Sequence, residues 1–128
     1  MSEVKPPRPG VPVRGSSSGQ PLMAAFDLLG RRWAITVLWE LRGDPVGFRD
    51  LRRSLAGISS SVLSTRLREL TAVGVAETVA DRKYRLTPIG IELLYALAPL
   101  KAWSRNWAQH LGAESFGNNP VDDVDRLP

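Results

Sequence analysis

At 128 residues and a formal net charge of +4, the chain suits one domain with a real core. It contains no cysteine, which excludes disulfides, thiol redox sensing, thiolate nucleophiles and cysteine-based zinc sites. The N-terminus lacks the apolar run of a signal peptide. No segment approaches the roughly 20 apolar residues that cross a bilayer. A cytoplasmic location and no membrane partner are therefore expected.

Residues 1–20 are rich in Pro, Gly and Ser, lack an apolar period and carry Lys5, Arg8 and Arg14 against Glu3. Such a composition predicts a disordered N-terminal tail. Residues 112–128 have the opposite sign, with Glu114, Asp122, Asp123 and Asp125 against Arg126, and predict an acidic flexible C-terminal tail. The folded unit is then 21–111.

Pro21 can open a first helix, because its missing N–H is not needed there, and Gly30 ends it. The next helix is expected over Arg31 to Arg42 and is apolar on most sides, through Trp33, Ile35, Val37, Leu38, Trp39 and Leu41. A helix of that kind is usually central to a domain or shared with a partner. Gly43-Asp44-Pro45 stops it. Phe48, Leu51 and Leu55 then mark a short third helix with Arg49, Arg52 and Arg53 turned outward.

After Ala56-Gly57, Ser59 stands as an N-cap before a fourth helix in which Leu63, Leu67 and Leu70 recur on one face. Gly74 ends it, as glycine does at the left-handed C′ position. The opposite face carries Ser61, Thr65, Arg68 and Ala72, with Ser64 on its edge. These are mostly short side chains on a helix that a major groove can admit, and Ser or Thr can bond any base edge. Two short helices, a glycine-containing turn and a polar-faced second helix make a helix-turn-helix. Val75 to Val79 and Lys83 to Leu86 then suit two strands joined around Ala80-Asp81-Arg82. The fold class expected is mainly α with a small β-hairpin wing, a winged helix-turn-helix.

Thr87-Pro88 opens the last helix as N-cap and first position. In it Leu93, Leu97, Leu100, Trp107 and Leu111 fall on one stripe, with Ser104 in the gap and Trp103 beside it. Such a stripe can form a seam with a second subunit or pack back on its own domain, and Pro99 is expected to kink or break the helix.

The ordered series Leu28-Leu29-Gly30-Arg31-Arg32-Trp33, Leu38-Trp39-Glu40-Leu41, Phe48-Arg49-Asp50-Leu51-Arg52-Arg53, Ile58-Ser59, Val62 to Leu70, Gly74-Val75 and Tyr84 to Gly90 resembles the HxlR-type winged-helix transcriptional regulators of bacteria. The resemblance covers Pro21 to Leu111. It implies a homodimer through the terminal helices, with Leu93, Leu97, Leu100, Trp103, Trp107 and Leu111 at the interface. It also implies two recognition helices in consecutive major grooves, hence an inverted repeat with half-sites roughly 34 Å apart. Two departures stand out. Many members carry a cysteine where this chain has Gln20, so cysteine-based switching is excluded. The wing is shorter than usual, which argues against deep minor-groove contact.

The candidate DNA-binding residues are Ser61, Ser64, Thr65, Arg66 and Arg68 on the fourth helix, Arg49, Arg52 and Arg53 on the third, and Arg82 and Lys83 on the wing. Residues 49–85 hold eight basic against four acidic side chains, which suits a phosphate-binding surface. Arg66 has two open roles. Arginine to guanine is the commonest specific contact, yet Arg66 falls beside Val62 at the edge of the apolar face, where a structural ion pair is as plausible.

Trp33, Trp39, Trp103 and Trp107 are candidates for lining a small-molecule effector pocket at the subunit interface, against core packing as the commoner use of aromatics. His110, the single histidine, suits a helix C-terminus, and no cofactor or metal is expected. No paired carboxylates, phosphate loop or nucleophile–base set is visible, so the chain is not expected to be an enzyme. The favoured function is a dimeric sequence-specific DNA-binding regulator that represses by occluding a promoter. The alternative is a winged-helix protein-interaction module without specific DNA binding.

Overall fold

The computed structural model describes residues 6–112. Helix α1 (Pro21–Gly30) is followed by α2 (Ala34–Glu40), strand β1 (Val46–Gly47), α3 (Phe48–Ser54), α4 (Ser60–Ala72), strands β2 (Ala76–Val79) and β3 (Lys83–Leu86), and α5 (Pro88–His110). The strands form an antiparallel sheet in the order β1-β3-β2, with Ala76 opposite Leu86, Val79 opposite Lys83, and Val46 opposite Tyr84. This is the helix-turn-helix and short wing expected, with one added strand. At two residues, β1 is too short to show the alternation by which a strand is recognised.

Leucines from four elements meet in the core. Leu38, Leu41, Leu51, Leu63, Leu67 and Leu70 are the largest fully buried side chains, and Leu94 anchors α5 against them. At the start of α4 the Ser59 hydroxyl accepts from the Val62 amide at 3.1 Å. At its end Gly74, at φ 80°, closes a Schellman pair: Val75 N–H donates to the Leu70 carbonyl and Gly74 N–H to that of Thr71. Both ends of α4 are thus fixed locally.

The end of α4 is welded to the start of α5. The Thr87 hydroxyl donates to the Gly74 carbonyl at 2.5 Å and accepts from the Gly90 amide at 3.2 Å. A Cβ at Gly90 would stand 2.2 Å from the Val75 carbonyl oxygen, so only glycine allows this approach.

Three expectations are corrected. The second helix does not begin at Arg31: Trp33 adopts φ 73° and α2 starts after it. Apolar character continued through the break and concealed it, while a left-handed tryptophan is uncommon enough that periodicity gives no warning of it. The last helix is not broken by Pro99 but runs through it. Pro99 lies on the exposed side of the helix, where its ring meets no packed neighbour.

The third correction concerns the proline-rich N-terminus. Residues 6–20 do not lie free of the domain; they make specific contacts. A Val13–Ser16 bridge and a Gly10 N–H to Gly19 carbonyl bond fold the segment on itself. Pro7 is buried, Arg8 donates to the Ala72 carbonyl at 2.8 Å, and the Arg14 amide donates to Asp27 at 3.1 Å. Prolines lower the conformational entropy lost on ordering, so few contacts suffice. The acidic tail expected over 112–128 lies outside the described residues apart from Gly112.

Candidate nucleic-acid interface

Helix α4 presents two chemically different faces. Outward stand Ser61 and Arg68, exposed, with Ser64 and Thr65 half-buried beside them. Their hydrogen bonds are local: Thr65 donates to the Ser61 carbonyl at 2.9 Å, and Arg68 donates to the Ser64 hydroxyl at 3.1 Å. Each hydroxyl oxygen keeps acceptor capacity, and the Arg68 guanidinium keeps most of its five donors.

Arg66 belongs to the other face, and the structural role prevails for it. Its Nε donates to the Arg32 carbonyl at 2.7 Å and its Nη1 to Glu69 Oε1 at 2.5 Å. Glu69 is 2% exposed and its second oxygen pairs with Arg31. Arg31 in turn lies 3.5 Å from Asp27. Burial, then the nearby charges of Arg31 and Arg14, push the Arg66 guanidinium below its usual pKa range. A head tied to two acceptors inside the fold is withdrawn from base reading.

The basic residues of α3 are outward as expected. Arg49, Arg52 and Arg53 are exposed. Arg53 pairs with Asp50 at 3.4 Å, an exposed pair of little strength, and Arg52 Nε reaches the Ile58 carbonyl at 3.5 Å across the turn into α4. In the wing, Ala80–Arg82 forms a three-residue connection with Asp81 at φ 64° and Arg82 at φ 57°. Arg82 and Lys83 are exposed at its tip, whereas Arg85 is paired with Glu77 on the adjoining strand.

The stripe on α5 divides. Leu93 and Leu97 pack against the core, while Leu100, Trp103, Trp107 and Leu111 are exposed. Trp103 and Trp107 stack on each other with centroids 5.3 Å apart. On α1, Leu22 and Phe26 are exposed as well. Trp39 is buried with Arg42 stacked 3.9 Å from its ring centre, and neither of two cavities of about 400 and 490 Å³ is lined by a tryptophan.

Sequence reasoning missed the chain of ion pairs through Asp27, Arg31, Glu69 and Arg66. Two of its links have helical spacing, Asp27–Arg31 at i,i+4 and Arg66–Glu69 at i,i+3. That spacing was visible; the link between the pairs, Arg31 to Glu69, joins residues 38 apart and needs the fold.

A helix-turn-helix with an arginine-bearing first helix, a polar-faced second helix and a basic wing defines a winged-helix DNA-binding protein. Residues 28–111 match the model of the HxlR-like helix-turn-helix family, and the chain belongs to that family. It is similar to the HTH-type transcriptional regulator YvaP of Bacillus subtilis, 32% identical over 89 residues that cover 65% of this chain and 82% of that protein. An HTH-type regulator of Mycobacterium tuberculosis is 35% identical over 91 residues, and this chain spans 57% of its length. Among solved structures, quinone-bound YodB of B. subtilis superposes with a TM-score of 0.63 at 29% identity, covering 66% of this chain and 94% of that one. A structure described as that of a possible HxlR family transcriptional factor from Thermoplasma volcanium gives 0.56 at 29% identity, covering 64% of this chain and 79% of that one. The protein is a DNA-binding transcriptional regulator and not an enzyme. Among the described residues, no helix is long and apolar enough to cross a membrane.

Proposed function

We propose that the protein is a homodimeric, sequence-specific regulator that reads an inverted repeat and represses by occluding a promoter. The observation that carries this reading is the outer face of α4, where Ser61, Ser64, Thr65 and Arg68 stand outward on a helix capped at both ends. Arg49, Arg52 and Arg53, with Arg82 and Lys83 of the wing, supply phosphate contacts that fix register without reading sequence. Apolar side chains exposed on α1 and α5 support the dimer, since Leu22, Phe26, Leu100, Trp103, Trp107 and Leu111 are a costly group to leave in water. Two copies set two α4 helices for half-sites one helical turn apart.

Selection from random duplexes with the purified protein tests this directly. Recovery of an inverted repeat with half-site centres about 10 base pairs apart is expected. Recovery of no motif, with binding that vanishes at physiological salt, would mean the winged helix serves protein contacts instead. Trp107→Glu should convert the dimer to monomer in sedimentation, and an unchanged dimer would remove α5 from the interface. A ligand at the subunit interface is supported by the stacked Trp103–Trp107 pair, and YodB is known with a quinone bound. Tryptophan fluorescence against quinones and small aromatics checks it; no saturable change counts against it.

A further inference from the structure

Away from Trp103 and Trp107, the N-terminal segment, α1 and Arg31 line an open cleft of about 400 Å³, within the range of small-molecule sites. Its lining is apolar at Pro7, Pro12 and Val13 and charged at Arg14, Asp27 and Arg31. The proline-lined wall is stiff, so little ordering remains to be done on binding.

The charges of this corner do not balance. Arg14, Arg31 and Arg66 are held by two carboxylates, Asp27 and Glu69. Both carboxylates are already occupied. Asp27 Oδ2 accepts from the Arg14 amide at 3.1 Å and from Arg31 at 3.5 Å, while its Oδ1 faces the Nε atoms of Arg31 and Arg14 at 3.5 and 3.9 Å. Glu69 takes Arg31 on one oxygen and Arg66 on the other. The Arg14 guanidinium is left with that single 3.9 Å contact, and its side chain is 76% exposed. Arg31 Nε is buried and makes no hydrogen bond. Among the described residues one unit of positive charge is therefore in surplus beside an apolar wall, and the buried Arg31 Nε has no hydrogen bond beyond its 3.5 Å ion pair with Asp27. Burial is the main reason the Arg66 guanidinium lies below its usual pKa range, and the charges of Arg31 and Arg14 lower it further.

We infer that this cavity is an effector site for a small organic monoanion with an apolar body, bound through Arg14 and linked to the recognition helix through Arg31 and Glu69. The anion neutralises the surplus, and its body rests on the proline wall. The route to α4 is short. Arg31 lines the cavity and pairs with Glu69 of α4, and the same N-terminal segment is tied to the last turn of α4 by Arg8 on the Ala72 carbonyl. A ligand that tightens the segment on α1 therefore fixes α4 at two points.

The test needs no DNA and uses the full chain with benzoate, its neutral isostere benzamide, and the variants Arg14→Gln and Arg14→Lys. Calorimetry should show saturable binding of benzoate and none of benzamide. Arg14→Gln should weaken benzoate at least about tenfold, the loss expected for a charge-assisted hydrogen bond, with partial rescue by Arg14→Lys. Arg14 is exposed, so both variants should fold. Amide exchange across residues 66–72 should slow with benzoate present. No heat with benzoate, equal binding of benzamide, or full affinity in Arg14→Gln would overturn the anion site. Binding that leaves exchange in α4 unchanged would overturn the link to the recognition helix.

Discussion

Arg66 and Arg68 stand two residues apart on one helix and have opposite fates. Arg66 is drawn under α4 to Glu69 and the Arg32 carbonyl, whereas Arg68 bonds only Ser64 and faces solvent. Two residues along a helix is about 200° of rotation, which separates the face folding uses from the face it leaves free. An arginine count measures the field of a surface; it does not say which guanidiniums are available to a partner. Among the described residues of α3, α4 and the wing, Arg49 and Arg82 are exposed, Arg68 bonds only the Ser64 hydroxyl, and Arg52 and Arg53 are weakly engaged.

The largest effect should come from breaking the inner face. Glu69→Ala leaves Arg31 and Arg66, both mostly buried, without their shared acceptor, and should cost about 3–5 kcal/mol in urea unfolding. The double variant Arg66→Met, Glu69→Leu should cost clearly less, because Arg31 keeps Asp27 and no charge is stranded. If the double variant were the less stable of the two, the inner face would owe its stability to the ion pairs themselves rather than to the avoidance of unpaired charge.

The outer face should respond in the opposite way. Arg68→Ala should leave stability within about 0.5 kcal/mol, as exposed substitutions do. It should weaken binding to the selected operator by about 1–3 kcal/mol if Arg68 reads a base. Uniform weakening on all duplexes would place it on phosphate instead. Equal effects of Arg66→Met and Arg68→Ala on sequence preference, at matched stability, would erase the distinction between the faces.

The fold was legible wherever a local rule was decisive. Ser59 and Thr87 at N-caps, Gly74 at a C-cap and the 63-67-70 leucine row each act within a few residues, and all appear as read. What failed was non-local or conformationally rare. Trp33 is left-handed inside an apolar run, β1 exists only because β3 pairs with it, and residues 6–20 are held by Arg8 and Arg14 reaching elements beyond them. The outer half of the site could be read from helical phase. Arg66 could not be settled that way, because its position on the edge of the apolar face fitted both roles until Arg31 and Arg32 were placed beside it.

A milder contrast lies between the arginines of α3 and those of α4. Phosphate contacts carry salt dependence without sequence information. With about six phosphates neutralised per dimer, the slope of log K against log salt should be near −5. Arg49→Gln should flatten it by about two, one for each subunit, and weaken all duplexes alike. A flat response in the unaltered protein would remove the basic surface from the mechanism.

The wing gives the smallest and most delicate expectation, because there the free and the folded roles meet in one residue. Arg82 holds φ 57°, a conformation that costs a residue with a side chain about 1 kcal/mol. Arg82→Gly removes that strain but adds freedom to the unfolded chain, so a net gain of only about 0.5 kcal/mol is expected in thermal unfolding. The same substitution deletes a cation at the tip of β2 and β3, so the salt slope should flatten by up to about two while the selected motif stays the same. A gain in stability with no change in slope would mean that the short hairpin is only a connection, and that α3 and α4 carry the DNA contacts alone. A loss of stability would mean instead that the Arg82 side chain has a folded-state partner that offsets the strain of its backbone.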